Sequence, residues 1–243
     1  MHPLLPVAVF IQKIVVDVPC RVDDVELAKV PLKGPVILAT NHINAIEIPA
    51  MLSHLYPRQA TGLAKVESWK NPLFKLLYTI YRAVPVRRGA LDMNAIRQCL
   101  ERLTEGYILA VAPEGTRSFD GQLQQGHSGV ALLAVRSGAP VQPVVYFGHE
   151  VLWKNLRRLK RTPFIIRVGN PFRIDLHGER MNKNNGQDVT DEIMYQIAAL
   201  LPPSYRGVYA DLSKATERYL KFEPGAGSSL SRAAEMDLYK FSV

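Results

Sequence analysis

Two stretches of this 243-residue sequence bring proton-transferring and anion-binding side chain types together. The first is Asn41-His42-Ile43-Asn44-Ala45-Ile46-Glu47, and the second is Pro113-Glu114-Gly115-Thr116-Arg117-Ser118. On one continuous helix, a His and an acid five residues on would point about 140° apart. They meet only if His42 lies in a loop and Glu47 in the first turn of a helix. Pro49 supports a helix that begins near residues 45–47, because proline is tolerated in a first turn. The acid would then orient the imidazole tautomer and stabilise its charged form. A His–acid dyad without a protein nucleophile is suited to deprotonating a substrate hydroxyl. In the second stretch Gly115 permits a tight turn or close backbone approach, and Arg117 offers a planar fork to phosphate oxygens. On residue type alone, His42 could equally be a hydrogen-bonded structural residue at a strand end, and Arg117 a salt-bridge partner.

Both stretches follow apolar runs that read as central strands. Val36 to Thr40 suits a strand buried on both faces, and Tyr107 to Ala112 runs straight into Pro113. Ligand sites of open α/β sheets collect at the carboxyl ends of such strands. Helices are predicted over Glu47 to Leu55, from Asn71-Pro72 (Phe74, Leu77, Ile80 and Tyr81 on one face), and from Asp92 to Gly106. Others run from Gly129 to Arg136, stopped by Gly138, and from Thr190 to Leu201, ended by Pro202-Pro203. Val141 to Phe147 and Phe164 to Val168 are further strands. The alternation predicts an α/β domain.

Composition narrows the partners. A net charge of +8 asks for nucleic acid, anionic lipid or acidic substrates. No reading helix, zinc module or aromatic RNA-binding motif accompanies it, so nucleic acid is set aside. Two cysteines, Cys20 and Cys99, make no disulfide framework; a core thiol and a cytoplasmic protein are expected. No segment reaches the roughly eighteen unbroken apolar residues of a spanning helix. Residues 1–20 form an apolar segment, either a terminal element packed on the domain or an interfacial anchor. His2, His54, His149 and His177 show no metal-ligand spacing and read as structural or solvated, so no metal is expected. Gly126-His127-Ser128-Gly129 lacks the last glycine of a hydrolase nucleophile elbow and reads as a helix start.

His42-x4-Glu47 resembles the His-x4-Asp motif of the glycerolipid acyltransferases of 1-acylglycerol-3-phosphate type. Pro113 to Ser118 matches that family's Pro-Glu-Gly-Thr-Arg block. Val84-Pro85-Val86-Arg87-Arg88-Gly89 is similar to its intermediate block, and Val141-Gln142-Pro143-Val144-Val145 to its fourth. Lys65 and the Gln125 to Gly129 stretch also sit where the family has a Lys and a Gly-led helix. Order and spacing agree from about Pro35 to Pro171.

The pattern gives one layered domain over residues 21–210; beyond Asp211 it weakens, and a partly mobile tail is expected over 211–243, Pro224 to Ser229 in particular. The resemblance agrees, implying a central mixed, largely parallel sheet flanked by helices. It implies that His42 takes the proton of an acceptor hydroxyl, which attacks an acyl thioester, and that Glu47 orients His42. Arg87 and Arg117, with Glu114, Gly115 and Thr116, would bind a lysophospholipid acceptor, Glu114 either contacting acceptor hydroxyls or bracing the loop. Acyl-CoA or acyl carrier protein would be the co-substrate, with no bound cofactor. The sequence departs from the family in having Glu at position 47, one methylene or about 1.5 Å longer than Asp. That departure keeps a second reading open: a weak or inactive lipid-binding relative acting at anionic membranes. Trp153, Lys154, Arg157, Arg158, Lys160 and Arg161 would face a membrane, on which the protein would lie peripherally. Near an anionic surface each such cation contributes about 1 kcal/mol.

Overall fold

Apolar runs without charge form the centre of the sheet because they can be covered on both faces. The computed structural model describes residues 2–87, 92–118 and 120–239. In chain order the elements are α1 (Leu5–Asp17), β1 (Cys20–Asp23), β2 (Val36–Thr40), α2 (Glu47–His54), β3 (Ala60–Lys65), α3 (Pro72–Ile80), β4 (Val84–Val86), α4 (Met93–Thr104) and β5 (Ile108–Val111). There follow α5 (Gly129–Ser137), β6 (Val141–Phe147), α6 (Leu152–Leu156), β7 (Thr162–Val168), β8 (Phe172–Ile174), α7 (Lys183–Ala198), β9 (Leu220–Phe222) and α8 (Ala233–Asp237).

The strand order is β1-β7-β6-β2-β5-β3-β4, with β8 and β9 added beside β6. Strands β2 to β6 run parallel, with Val36 opposite Ile108 on β5 and Ile37 opposite Val141 on β6. Strand β7 pairs antiparallel to β6, so the sheet is mixed and largely parallel. Side chains alternate across β2. Ile37 and Ala39 join the core under α4, α5 and α7, while Val36 and Leu38 join the core under α1 and α2. The result is one sheet between two helical layers.

Local chemistry sets several helix ends. The side chains of Asn71 and Asp92 accept the first backbone N–H groups of α3 and α4. Gly138 closes α5 in the left-handed conformation. Helix α7 begins at Lys183, ahead of the expected Thr190, because Asn182 and Asn185 form a reciprocal cap over a polar first turn that has no apolar periodicity. Cys20 and Cys99 are free and buried, and burial pushes their thiols up to about 11 and about 12.

Both ends of the chain pack on the domain within the described residues. The segment after Asp211, expected as a partly mobile tail, is packed from there to Tyr239. Tyr219, Leu220 and Met236 are buried in the core, and β9 pairs with β8. Within 224–229, Gln196 accepts the Ser229 N–H at 2.8 Å and Asn170 donates to the Gly227 carbonyl at 2.8 Å. Single apolar residues separated by polar ones gave no periodic pattern to read. At the other end, α1 packs on α2 through Leu5, Ala8, Val9 and Val16. Its opposite face presents Val7, Phe10, Ile11, Ile14 and Val15 to solvent. Among the described residues no helix is long and apolar enough to cross a membrane.

Candidate active site

The loop after β2 is held by its own side chains. Asn41 is buried and pairs with both backbone groups of Tyr146, donating to its carbonyl and accepting its N–H, each at 2.8 Å. That two-point contact fixes the next residue, His42, beyond the carboxyl end of β2. Helix α2 starts at Glu47, so the histidine lies in the loop and the acid in the first turn. His42 Nδ1 is 2.6 Å from Glu47 Oε2. Glu47 Oε1 accepts the N–H groups of Ile43 and Asn44, each at 2.8 Å. Burial alone would raise the Glu47 carboxyl, but hydrogen bonds from His149 and His42 outweigh it and hold the acid down at about 2. An ionised carboxylate cannot donate, so the proton in the pair sits on His42 Nδ1 and Nε2 is the nitrogen with a lone pair.

Strand β5 lies beside β2, which sets the second loop against the first. Glu114 is buried, with Oε1 accepting the His42 N–H at 3.1 Å and Oε2 the Gln124 N–H at 2.9 Å. Both oxygens are therefore engaged by backbone, and of the two expectations for this residue the geometry displays the brace. Its carboxyl is pushed up to about 7, chiefly by burial, with Glu47 and Asp120 adding to the rise and the two N–H bonds opposing it. Ser118 N–H returns to the His42 carbonyl at 2.8 Å, a second tie between the loops. Gly115 has φ of 66°, and a Cβ there would come within 3.3 Å of the His127 ring. Thr116 and Arg117 are exposed.

These loops border a cavity of about 830 Å³. Its polar wall carries His42, Glu114, Gly115, Thr116, Arg117, Arg87 and Lys65, and its apolar wall includes Met51, Leu63, Phe74, Leu77 and Ile96. The Arg87 backbone donates to Asp92 Oδ2 at 3.1 Å, but no ion pair holds the guanidinium of Arg87 or Arg117 among the described residues. Arg88 and Gly89, from the same block as Arg87, lie outside the described residues. No cluster of His, Cys, Asp and Glu fit for a metal ion is present among the described residues. The arrangement can bind an anionic head, hold an apolar chain and accept a proton between them.

The six basic-patch residues lie on and after α6. Trp153, Lys154, Arg157, Arg158 and Lys160 are exposed, as are Leu156 and Leu159. Arg161 is exposed too, and its guanidinium donates to the carbonyls of Asp17, at 2.6 Å, and Cys20, which ties this segment to the end of α1. Sequence reasoning missed His149, expected as structural or solvated. It is fully buried, with Nε2 2.6 Å from Glu47 Oε1. A usable signal existed, since His42 and His149 each stand two residues beyond a central strand.

Residues 21–147 match the family model described as Acyltransferase. The chain is 29% identical over 147 residues to the 1-acyl-sn-glycerol-3-phosphate acyltransferase of Limnanthes alba, covering 59% of this chain and 52% of that protein. It is 24% identical over 120 residues to the protein of that name in Borreliella burgdorferi, covering 49% and 48%. The chain thus spans about half the length of these curated relatives. Among solved structures, the 1-acyl-sn-glycerophosphate (LPA) acyltransferase PlsC of Thermotoga maritima aligns with a TM-score of 0.58 at 24% identity, over 78% of this chain and 76% of that one. At that identity the likeness is one of fold.

Proposed function

The chain belongs to the acyltransferase family, and from that premise we propose that it moves a fatty acyl group from a thioester to the free hydroxyl of a 1-acylglycerol-3-phosphate-like lysophospholipid. The carrying observation is the 2.6 Å His42–Glu47 contact, at the wall of a cavity that also carries two guanidiniums. In this reading His42 Nε2 takes the acceptor proton as the hydroxyl oxygen attacks the thioester carbonyl. The tetrahedral intermediate then collapses, the C–S bond breaks, and the leaving thiolate takes the proton back from the imidazolium. Glu47 keeps the ring oriented and stabilises its transient charge. Arg87 and Arg117 hold the acceptor phosphate, and the apolar wall takes the acyl chain. Acyl-CoA or acyl carrier protein supplies the thioester, so the chemistry calls for no bound cofactor.

A membrane surface is where such an acceptor resides. The outward apolar face of α1 and the exposed Trp153, Leu156 and Leu159 support peripheral attachment, with Lys154, Arg157, Arg158 and Lys160 facing anionic headgroups. The deciding assay measures free thiol released from palmitoyl-CoA, and in parallel from palmitoyl acyl carrier protein, with and without lysophosphatidic acid. Acceptor-dependent release is expected. Release that ignores the acceptor, or none with either donor type, would overturn the reading in favour of a lipid-binding relative. Arg117→Ala should raise the acceptor's KM by at least tenfold, as expected for loss of a charge-assisted phosphate contact. An unchanged KM would leave Arg117 structural.

A further inference from the structure

Acyl transfer as described leaves a buried histidine without a task. His149 is fully buried, stacks at a tilt on Phe164 with ring centroids 4.5 Å apart, and gives its backbone carbonyl to the Asn44 side chain at 3.4 Å. Its Nε2 lies 2.6 Å from Glu47 Oε1, while its Nδ1 has no partner among the described residues. Glu47 therefore stands between two imidazoles, His42 on Oε2 and His149 on Oε1. Because the carboxylate only accepts, His149 carries its hydrogen on Nε2 and His42 on Nδ1.

We infer that His149 is a positioning residue, which clamps one oxygen of Glu47 so that the other is aimed at His42. It acts through Glu47 and touches no substrate. This rests on His42 being the base. The same contact accounts for glutamate at position 47. The carboxylate must meet the loop N–H groups, His42 and His149 together, and a side chain shorter by about 1.5 Å cannot keep both imidazoles at hydrogen-bond distance. A buried histidine two residues beyond β6 and a longer acid at the head of α2 are one feature split between distant parts of the chain.

The test combines kinetics with proton NMR. With palmitoyl-CoA and lysophosphatidic acid, His149→Ala should lower kcat by roughly 10²-fold with little change in either KM, the scale of a misaligned base. His149→Gln, whose amide can donate to Oε1, should recover part of the loss. In a Glu47→Asp background, where the acid no longer spans both rings, His149→Gln should cost less than about threefold further. Independent multiplicative losses, or a lower melting temperature with kcat unchanged, would overturn the proposal. The NMR arm needs no turnover. The native protein should show low-field imidazole N–H resonances from His42 and His149, beside that of His54, whose ring meets Asp17 and Asp24 and which His54→Gln identifies. His149→Gln should remove its own resonance and shift that of His42. A His42 resonance that does not move would overturn the clamp. Absence of acyl transfer by the native protein would refute the acyl-transfer reading instead, while the resonance pair still decides whether His149 positions His42.

Discussion

Glu47 accepts hydrogen bonds from Ile43 N–H, Asn44 N–H, His42 and His149, so it organises the loop as well as the imidazole. A buried carboxylate with that many donors is stable only while ionised. This yields a kinetic order. Glu47→Asp should fall below the native enzyme in kcat/KM although it restores the family's residue, and Glu47→Gln should fall further, because an amide holds the ring without supplying charge. His42→Ala should lie at or below Gln, down about 10²–10⁴-fold. A rise in activity for Glu47→Asp would sink the idea of a site built around the longer acid. A thermodynamic consequence follows from the same carboxyl. Its pKa is held at about 2 in the fold against an ordinary value of 4.5. The stabilisation is therefore complete above about pH 4.5 and is lost as the pH falls toward 2. Urea unfolding of native and Glu47→Gln protein should show a stability gap at pH 7 that narrows at pH 3.5; a gap constant with pH would contradict the shift.

At the scale of elements, α1 is a helix with two apolar faces, and only one has a partner among the described residues. The inner face packs on α2, and Gln12 reaches the Tyr81 hydroxyl at the edge of the cavity. The outer face lacks a partner among the described residues, and Arg161 links its C-terminal end to the basic segment after α6. Two forces with different salt responses are thereby set side by side. Charge reversal of Arg157 and Arg158 should weaken binding to anionic vesicles at low salt and matter little near 1 M, where screening acts over about 3 Å. Phe10→Asp should weaken binding at both ionic strengths, since burial of apolar surface is not screened. Vesicle sedimentation checks this, and identical salt responses for the two variants would remove the distinction between the patches.

For the molecule as a whole, the C-terminal segment completes the core. Buried Glu192 on α7 accepts the N–H groups of Arg218 and Tyr219, at 2.8 and 2.9 Å, and the Thr216 hydroxyl at 2.7 Å. Those bonds hold β9 against β8, on the side of the sheet away from β4. Glu192→Ala would strand backbone donors in the interior and should cost about 2–4 kcal/mol in chemical unfolding. A change below about 0.5 kcal/mol, the range of ordinary surface substitutions, would mean that the segment is not anchored there.

Much of this architecture was legible locally. Val36–Thr40 and Val141–Phe147 are runs that only a two-sided strand can bury, and Asn71, Asp92 and Gly138 mark helix ends by their own hydrogen-bonding or backbone freedom. The order of His42, Arg87 and the Pro113–Ser118 block along the chain points to the family by itself. Strands β1, β3, β4, β8 and β9 escaped because they are short and mix small or charged residues with apolar ones, and pairing rather than pattern makes them strands. The two loops share a wall because β2 and β5 are neighbours, and Glu114 braces the His42 backbone for the same reason. His149 meets Glu47 across 102 residues because β6 flanks β2 on its other side. Periodicity and capping act over a few residues and are written along the chain. The reach of a carboxylate to a second imidazole depends on which strands lie side by side and in what register, and that is decided only when the sheet closes.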